Sequence, residues 1–341
     1  MRRILFIAAL LTICSASSIA STPAPPAWLA PYMVKGALSY SNLDWARRRW
    51  SPDPKDQLEW RNTLDWIAQL KGARAAEVAE DLRQAGVPGA TLGAGCYGNE
   101  ACQQVEDLEL RGTAFSGWDT LSAAAREATP YIEGYRYAAE TAAHVVTEDP
   151  STTLHDKLIA AQILDQTNMI GLTGFHYPER RLPAMSAPAL TVFNLAVMHF
   201  SRMRFEANAE MLKTVVAAQG WPRRSEIGDA GLNAAWLVVQ HADHDPLFQY
   251  KALQLIKARM QEGEGDRKNV AYLYDRIMLK LTGKQRYGTQ NQCKGGKLAS
   301  QPLEDAEHLD ALRKEMNLPP IAEYLKGFPE NTCRDDAATR R

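Results

Sequence analysis

The sequence predicts an all-α protein, built as a multi-helix bundle or a short array of helical hairpins with disulfide-tied loops. Apolar residues recur three and four positions apart over long stretches, as at Ala75, Val78 and Leu82, and this is the spacing of one helix face. The alternating pattern of a half-buried strand is absent, and β-branched residues are sparse outside residues 215–216 and 238–239. No strand signal is therefore convincing, and we expect a nearly all-α protein.

Length and charge limit the classes of function. A chain of 341 residues can bury one large helical core or two smaller ones. Lys and Arg number 39, and Asp and Glu number 40, so the chain lacks the positive excess typical of nucleic-acid-binding proteins. We expect no nucleic-acid partner. The apolar fraction of 45% is that of a folded globular protein.

The N-terminus has the pattern of a secretory signal peptide over residues 1–20. Two arginines precede an apolar run at residues 4–13, and Ser18 and Ala20 supply small residues at a cleavage site. The run is too short to serve as a membrane anchor. We expect a periplasmic or secreted protein with no membrane span after cleavage. Cys14, the rival signal of a lipoprotein, follows an isoleucine where lipoproteins favour a small residue.

The four cysteines after the signal peptide predict two disulfides, because an even number in an exported chain is typical of such bonds. Cys96 and Cys102 flank a short glycine-containing loop and are expected to pair. Cys293 and Cys333 would then tie the C-terminal tail to the loop after Gln290. A zinc site is the rival interpretation, but the spacings match no common zinc pattern.

Prolines and glycines mark the divisions of the chain. The proline-rich leader is expected to be extended and mobile. Asp149 and Pro150 mark a boundary between two helical parts, and Trp60 and Trp66 are apolar anchors of the first part. The predicted divisions are a signal peptide at 1–20, a leader at 21–36, an N-terminal helical region at 37–150, a helical domain at 151–327 and a polar tail at 328–341.

Helix ends are recognisable in the second part. Ser225, Asp245 and Asp266 are N-cap candidates. Pro246 follows Asp245 and suits the first position of a helix. Gly283 is a C-cap candidate for the last long helix.

A stretch between Gln219 and Gln290 carries three polar clusters, at residues 240–245, 275–276 and 287–290. Each lies inside or at the end of a segment that is otherwise an apolar-striped helix. Helices do not need histidines, carboxylates and amides on their inward faces, so we interpret this stretch as a site.

His241 lies one turn after Leu237, so its side chain is expected to continue the apolar face inward. His244 falls on the same side. Three interpretations are open for this pair: an acid–base group or hydrogen-bonding ligand contact, a shared metal with Asp243 nearby, or core histidines with satisfied hydrogen bonds. Asp245 is already explained as an N-cap, so we predict no metal. No phosphate-binding, dinucleotide or metalloprotease motif occurs, and we predict no cofactor.

Asp275 lies on an apolar helix face between Ala271 and Leu279. A buried carboxylate must be paired or protonated. Its partner would be His241, a tyrosine or an arginine from another element. Next to His241 it would orient and charge a base; the alternative is a structural ion pair.

The loop at residues 287–290 offers a phenol, a hydroxyl and an amide, and Gly288 permits close backbone approach. Ordinary turn chemistry is the alternative interpretation.

The order of these motifs resembles DUF6624, a bacterial family of unknown function. The matching runs are Gly220-Trp221-Pro222, Gln240-His241-Ala242-Asp243, Asp275-Arg276, Tyr287-Gly288-Thr289-Gln290 and Leu318-Pro319-Pro320-Ile321. The resemblance covers about residues 154–325, implies an α-helical domain and supplies no reaction. One departure is that Met169 stands three residues after Gln166, where the family pattern has an arginine three residues after its Asp-Gln pair.

We therefore expect an exported protein, whose leading hypothesis is a cofactor-independent periplasmic hydrolase or lyase. His241 would be the acid or base, and Asp275 would orient it. An unknown small polar molecule or envelope fragment would be held by Trp221, Gln240, Asp243, Gln249, Arg276, Tyr287, Thr289 and Gln290. The alternative is a non-catalytic ligand-binding or scaffolding module. An open pocket lined by His241, Asp275 and Tyr287 would favour catalysis or binding, and a sealed network would favour architecture.

Overall fold

The fold is known from a computed structural model, which describes residues 22–39, 42–87, 92–173, 185–329 and 332–333, with backbone alone at 168–173. The prediction of an all-α fold is confirmed. The helices of the described residues are α1 (Pro54–Gln84), α2 (Glu100–Arg111), α3 (Trp118–Thr147), α4 (Leu154–Thr173), α5 (Ala187–Gln219), α6 (Arg224–Gln240), α7 (Pro246–Gln261), α8 (Arg267–Thr282), α9 (Leu309–Glu315) and α10 (Ile321–Lys326). Short 3-10 helices span Ala27–Tyr32, Asp44–Trp50 and Gly112–Ala114.

Two small antiparallel hairpins, which the sequence pattern did not indicate, occur among the described residues. They consist of β1 (Met33–Val34) with β2 (Ala37–Leu38), and β3 (Asn291–Lys294) with β4 (Lys297–Ser300). Gly295 and Gly296 form the second turn with φ of +60° and +75°, a conformation that glycine adopts without strain. Strands of two and four residues are too short to give a readable alternation.

Most helix ends follow the predicted caps. Asp245 accepts a hydrogen bond from the Phe248 N–H at 2.9 Å, and Asp266 caps α8 in the same way. Gly283 ends α8 with a left-handed φ of +73°. Ser225 is not the N-cap of α6. That position is Arg223, and Ser225 instead donates to Glu264.

The predicted leader is not extended and mobile from residue 22 onward. Leu29 is fully buried, and the Trp28 indole donates to the Glu59 carbonyl of α1 at 3.2 Å. The Trp66 indole donates to the Pro23 carbonyl at 3.0 Å. Burial of Trp28 and Leu29 against the N-terminal helices explains this packing.

The buried apolar side chains of the described residues form two hydrophobic cores. One includes Leu70, Val105 and Phe193, and the other includes Leu82, Leu212 and Leu253. Helices α1 and α5 contribute to both cores, so helices from both sides of residue 150 fill each of them. The chain turns between α3 and α4 at the predicted boundary.

Both predicted disulfides are confirmed. Cys96 pairs with Cys102, and Cys293 pairs with Cys333, with Cα atoms 5.7 and 5.5 Å apart. The predicted signal peptide and most of the polar tail lie outside the described residues. Within the described part, no helix has both the length and the apolar character that a bilayer span requires.

Candidate functional site

His241 follows directly after α6 and pairs with an acid from α4. Its Nδ1 lies 2.5 Å from Oδ2 of Asp165. Asp165 is 2% exposed, and its other oxygen accepts from the Gln166 amide at 2.8 Å. The His241 side chain is 15% exposed, and its ring lies 5.0 Å from the ring of Phe205. A carboxylate at Nδ1 orients an imidazole ring and leaves Nε2 to accept or donate a proton. Enzymes commonly orient a catalytic base in this way.

The expected pairing of Asp275 with His241 is therefore corrected: Asp165 is in that position. Asp275 is fully buried, and its Oδ1 accepts from the backbone N–H groups of Arg286 and Tyr287 at 2.8 and 2.9 Å. Its Oδ2 accepts from the N–H and the hydroxyl of Thr289, both at 2.9 Å. Burial raises the pKa of Asp275, although these hydrogen bonds oppose the rise. Asp275 organises a loop.

That loop is sealed by two further buried side chains. The Gln285 amide donates to the carbonyls of Gln290 and Gln301 at 2.7 and 3.0 Å. The Arg313 guanidinium donates to the Tyr287 carbonyl at 2.6 Å. The predicted substrate contacts in this loop thus belong to a hydrogen-bonded structure around Asp275: Tyr287, Thr289 and Gln290.

Three other predicted contacts are packed inside the helical bundle. Trp221 is a core residue, and its carbonyl accepts from Arg259. Gln240 is buried. Gln249 is fully buried and donates to the Val239 carbonyl at 3.0 Å. Gln249 therefore ties α7 to the end of α6.

Asp243 and Arg276, both predicted, do meet. Arg276 donates to both carboxylate oxygens of Asp243, with Nε 3.1 Å from Oδ1. Lys280, one turn further along α8, adds a contact of 2.7 Å to Oδ1. Burial opposes the charge on Asp243, but the two cations outweigh it and hold the pKa of Asp243 well below its usual range. Burial lowers the pKa of Lys280, an effect that Asp243 opposes.

A cavity of about 420 Å³ opens beside this ion cluster. Its walls are the disulfide loop at residues 95–100, the α5 residues Arg202, Phe205 and Glu206, the turn residues Asp243 and His244, and Lys280. A second cavity of about 380 Å³ shares Tyr97, Gly98, Glu206 and His244 with the first. Phe205 lines the first cavity, and its ring lies 5.0 Å from the His241 ring. Neither His241 nor Asp165 is among the residues that line this cavity, so Phe205 stands between it and the His241–Asp165 pair.

The disulfide loop is held to α5 by an ion pair. Arg202 donates to both oxygens of Glu100 at 2.8 and 2.7 Å, and a third contact reaches Asp107 at 2.9 Å. His199 Nδ1 lies 2.7 Å from Glu100. Burial alone would raise the pKa of Glu100, but Arg202 and His199 lower it.

Glu206 differs from the other acids around the cavity. Burial, and secondarily the charge of Glu100, raise its pKa to about 7. Among the described residues, no hydrogen bond or ion pair reaches its carboxylate. His244 lines the same space, and burial lowers its pKa. Its Nε2 is buried without a hydrogen-bond partner in the described part of the chain.

Residues 197–333 match DUF6624, a family of unknown function. The resemblance read from the motifs is therefore confirmed, with a match that begins at 197 rather than 154. No curated protein and no solved structure matches the chain.

The DUF6624 match includes only part of the site. Phe205, Glu206 and His241 lie inside it. Asp165 and the cavity wall at residues 95–100 lie outside it. Met169 stands where the family pattern has an arginine, but Asp165 still contacts His241.

Sequence reasoning missed Glu100, Arg202 and Glu206, and it gave Asp165 no role. Glu100 and Arg202 are 102 positions apart, and no local pattern links them. Arg202 and Glu206 did offer a signal, since they lie four residues apart on a helix whose stripe is otherwise apolar. Within the described ranges, no three His, Cys, Asp or Glu side chains are grouped as a metal site.

Proposed function

We propose that the protein is a cofactor-independent hydrolase or lyase, in which His241 transfers a proton to or from a small polar molecule or envelope fragment. The observation that carries this proposal is the 2.5 Å contact between His241 Nδ1 and Asp165 Oδ2. One side chain, Phe205, separates this pair from the cavity. The two disulfides support a place of action outside the cytoplasm.

In this proposal Asp165 has the role that was expected of Asp275. A buried carboxylate at Nδ1 fixes the ring orientation and stabilises the imidazolium that forms when Nε2 takes a proton. Gln166 holds the second Asp165 oxygen, so the carboxylate is fixed as well. An oriented imidazole of this kind contributes about 10²- to 10⁴-fold to a rate.

The polar wall around the substrate is also reassigned. Tyr287 and Gln290 donate backbone N–H groups within the loop around Asp275, and the Gln290 side-chain amide donates to Thr289. Neither residue lines the cavity. Asp243, His244 and Lys280 line the cavity instead. Their donors and acceptors would position the substrate next to the His241–Asp165 pair.

A turnover screen tests the proposal. Purified protein is incubated with polar metabolites and cell-envelope fragments, and consumption is followed by mass spectrometry. We expect His241→Asn to lower turnover of the active compound at least 100-fold. His308→Asn is the matched control, because His308 is exposed and contacts only its neighbour Asp305 among the described residues. Equal turnover in wild type and His241→Asn would contradict the proposal.

A non-catalytic ligand-binding or scaffolding module is the second candidate. The fully buried Asp275 and its sealed loop favour it, because that network has a purely architectural explanation. The same screen separates the two candidates. A compound that raises the Tm of the protein without being consumed would favour the binding module.

A further inference from the structure

We propose that Glu206 anchors the protonated amino group of a cationic ligand in the cavity between the disulfide loop and α5. This inference rests on the proposed function, because it specifies the chemical class of the molecule that would bind in the same cavity.

The first support is the balance of charge in the cavity wall. Glu100 is paired with Arg202 at 2.7 Å, and Asp243 is paired with Lys280 at 2.7 Å. Glu206 is the remaining ionisable acid of that wall. Arg202 attracts its charge through space, but no described side chain forms an ion pair or hydrogen bond with it. The wall therefore presents one uncompensated negative charge when Glu206 is ionised.

The nearby cations are engaged elsewhere. Arg202, one turn before Glu206, contacts both Glu100 and Asp107. Lys213, which lines the second cavity, contacts Glu210 and Asp245 at 2.6 Å each. Moving either cation to Glu206 would break these ion pairs, so a cation from the ligand is the simpler partner.

The second support is the position of Glu206 where two cavities meet. Glu206 lines both the cavity of about 420 Å³ and the one of about 380 Å³. Such volumes are in the range of small-molecule sites. A ligand bound at Glu206 has room on either side and reaches the wall that carries His244.

The third support is the aromatic lining. Phe205 precedes Glu206 on α5, and Tyr97 belongs to the disulfide loop; both line the first cavity. Aromatic faces attract ammonium groups and reject carboxylates. A bound ammonium would also stabilise the ionised form of Glu206, which burial disfavours.

Isothermal titration calorimetry of the full chain with benzylamine tests this inference, with benzyl alcohol and benzoate as neutral and anionic probes of similar shape. At pH 8 we expect benzylamine to bind at least tenfold more tightly than either probe. Glu206→Gln should weaken benzylamine binding at least tenfold. Glu133→Gln removes the same charge at an exposed position of α3 that lines neither cavity, and it should change the Kd less than threefold.

Any of three results would overturn the inference: no benzylamine binding to wild type, equal binding of the three probes, or unchanged binding in Glu206→Gln. His241→Asn should bind benzylamine like wild type. If His241→Asn loses turnover but still binds benzylamine, the result concerns the acid–base role of His241 alone. If wild type does not bind benzylamine, the inference about Glu206 fails, and the turnover test of the proposed function still stands.

Discussion

His241 and Asp165 lie 76 positions apart in the chain, and His241 Nδ1 is 2.5 Å from Asp165 Oδ2. The histidine belongs to the segment that matches DUF6624, and the acid belongs to α4, which precedes that segment. The contact therefore joins the family match to the part of the chain before it. The disulfide loop makes a second such connection through Glu100 and Arg202.

Asp165→Asn should lower turnover about 10²- to 10⁴-fold, because an amide neither fixes the required tautomer nor stabilises an imidazolium. The loss should appear in kcat more than in KM, since Asp165 acts through His241. Asp229→Asn, at an exposed carboxylate, is the control. Identical kinetics in the two variants would remove Asp165 from the mechanism.

Asp275→Asn should destabilise the fold by about 2–4 kcal/mol, because the amide cannot accept all the hydrogen bonds that the carboxylate accepts, and buried N–H groups are left unpaired. Urea denaturation measures the free energy of unfolding. Wild-type stability combined with lost turnover would show that Asp275 is functional rather than structural.

Glu206→Gln should raise the free energy of unfolding at pH 8 by on the order of 1–2 kcal/mol, after discounting for partial exposure. The folded-state pKa of about 7 lies above the unfolded value of 4.5. The protonated Glu206 carboxyl therefore makes its full contribution to the free energy of unfolding below about pH 4.5. That contribution is lost as the pH rises through about 7.

The groups that share the two cavities with Glu206 come from every neighbouring element: Tyr97 and Glu100, Arg74 and Asp81 of α1, Arg202, Glu210 and Lys213 of α5, Asp243, His244 and Asp245, and Lys280 of α8. Denaturation of wild type and Glu206→Gln at pH 5 and pH 8 isolates the contribution of Glu206. A difference in stability that does not change with pH would contradict the raised pKa.

The double substitution Cys96→Ser and Cys102→Ser should cost about 2 kcal/mol of stability, because it removes a disulfide that closes a short loop. It should also weaken benzylamine binding, because that loop forms a wall of the cavity. The Cys293–Cys333 disulfide closes a longer loop, so replacing both cysteines by serine should cost about 4 kcal/mol of stability. That second pair lies outside the cavity wall, so binding should persist at a temperature where both variants are folded. The reverse pattern of binding would exclude the disulfide loop from the site.

The sequence by itself determined the local features. Apolar spacing predicted the helices, Asp245 and Asp266 marked their starts, and Gly283 marked an end. The disulfide partners and the family also followed from residues in their order along the chain. Each of these depends on neighbours a few positions apart or on a motif.

Only the tertiary structure decided which polar groups meet. Helical periodicity shows that His241 and Asp275 face inward, but it does not show which helix lies opposite. Asp165 faces His241, and a backbone loop faces Asp275. Glu206 has no ion-pair partner in the described ranges, because Arg202 is bonded to Glu100, which lies about a hundred positions earlier. The physical reason is that hydrogen bonding and desolvation act over a few ångströms of space, and packing brings together groups that are far apart in sequence.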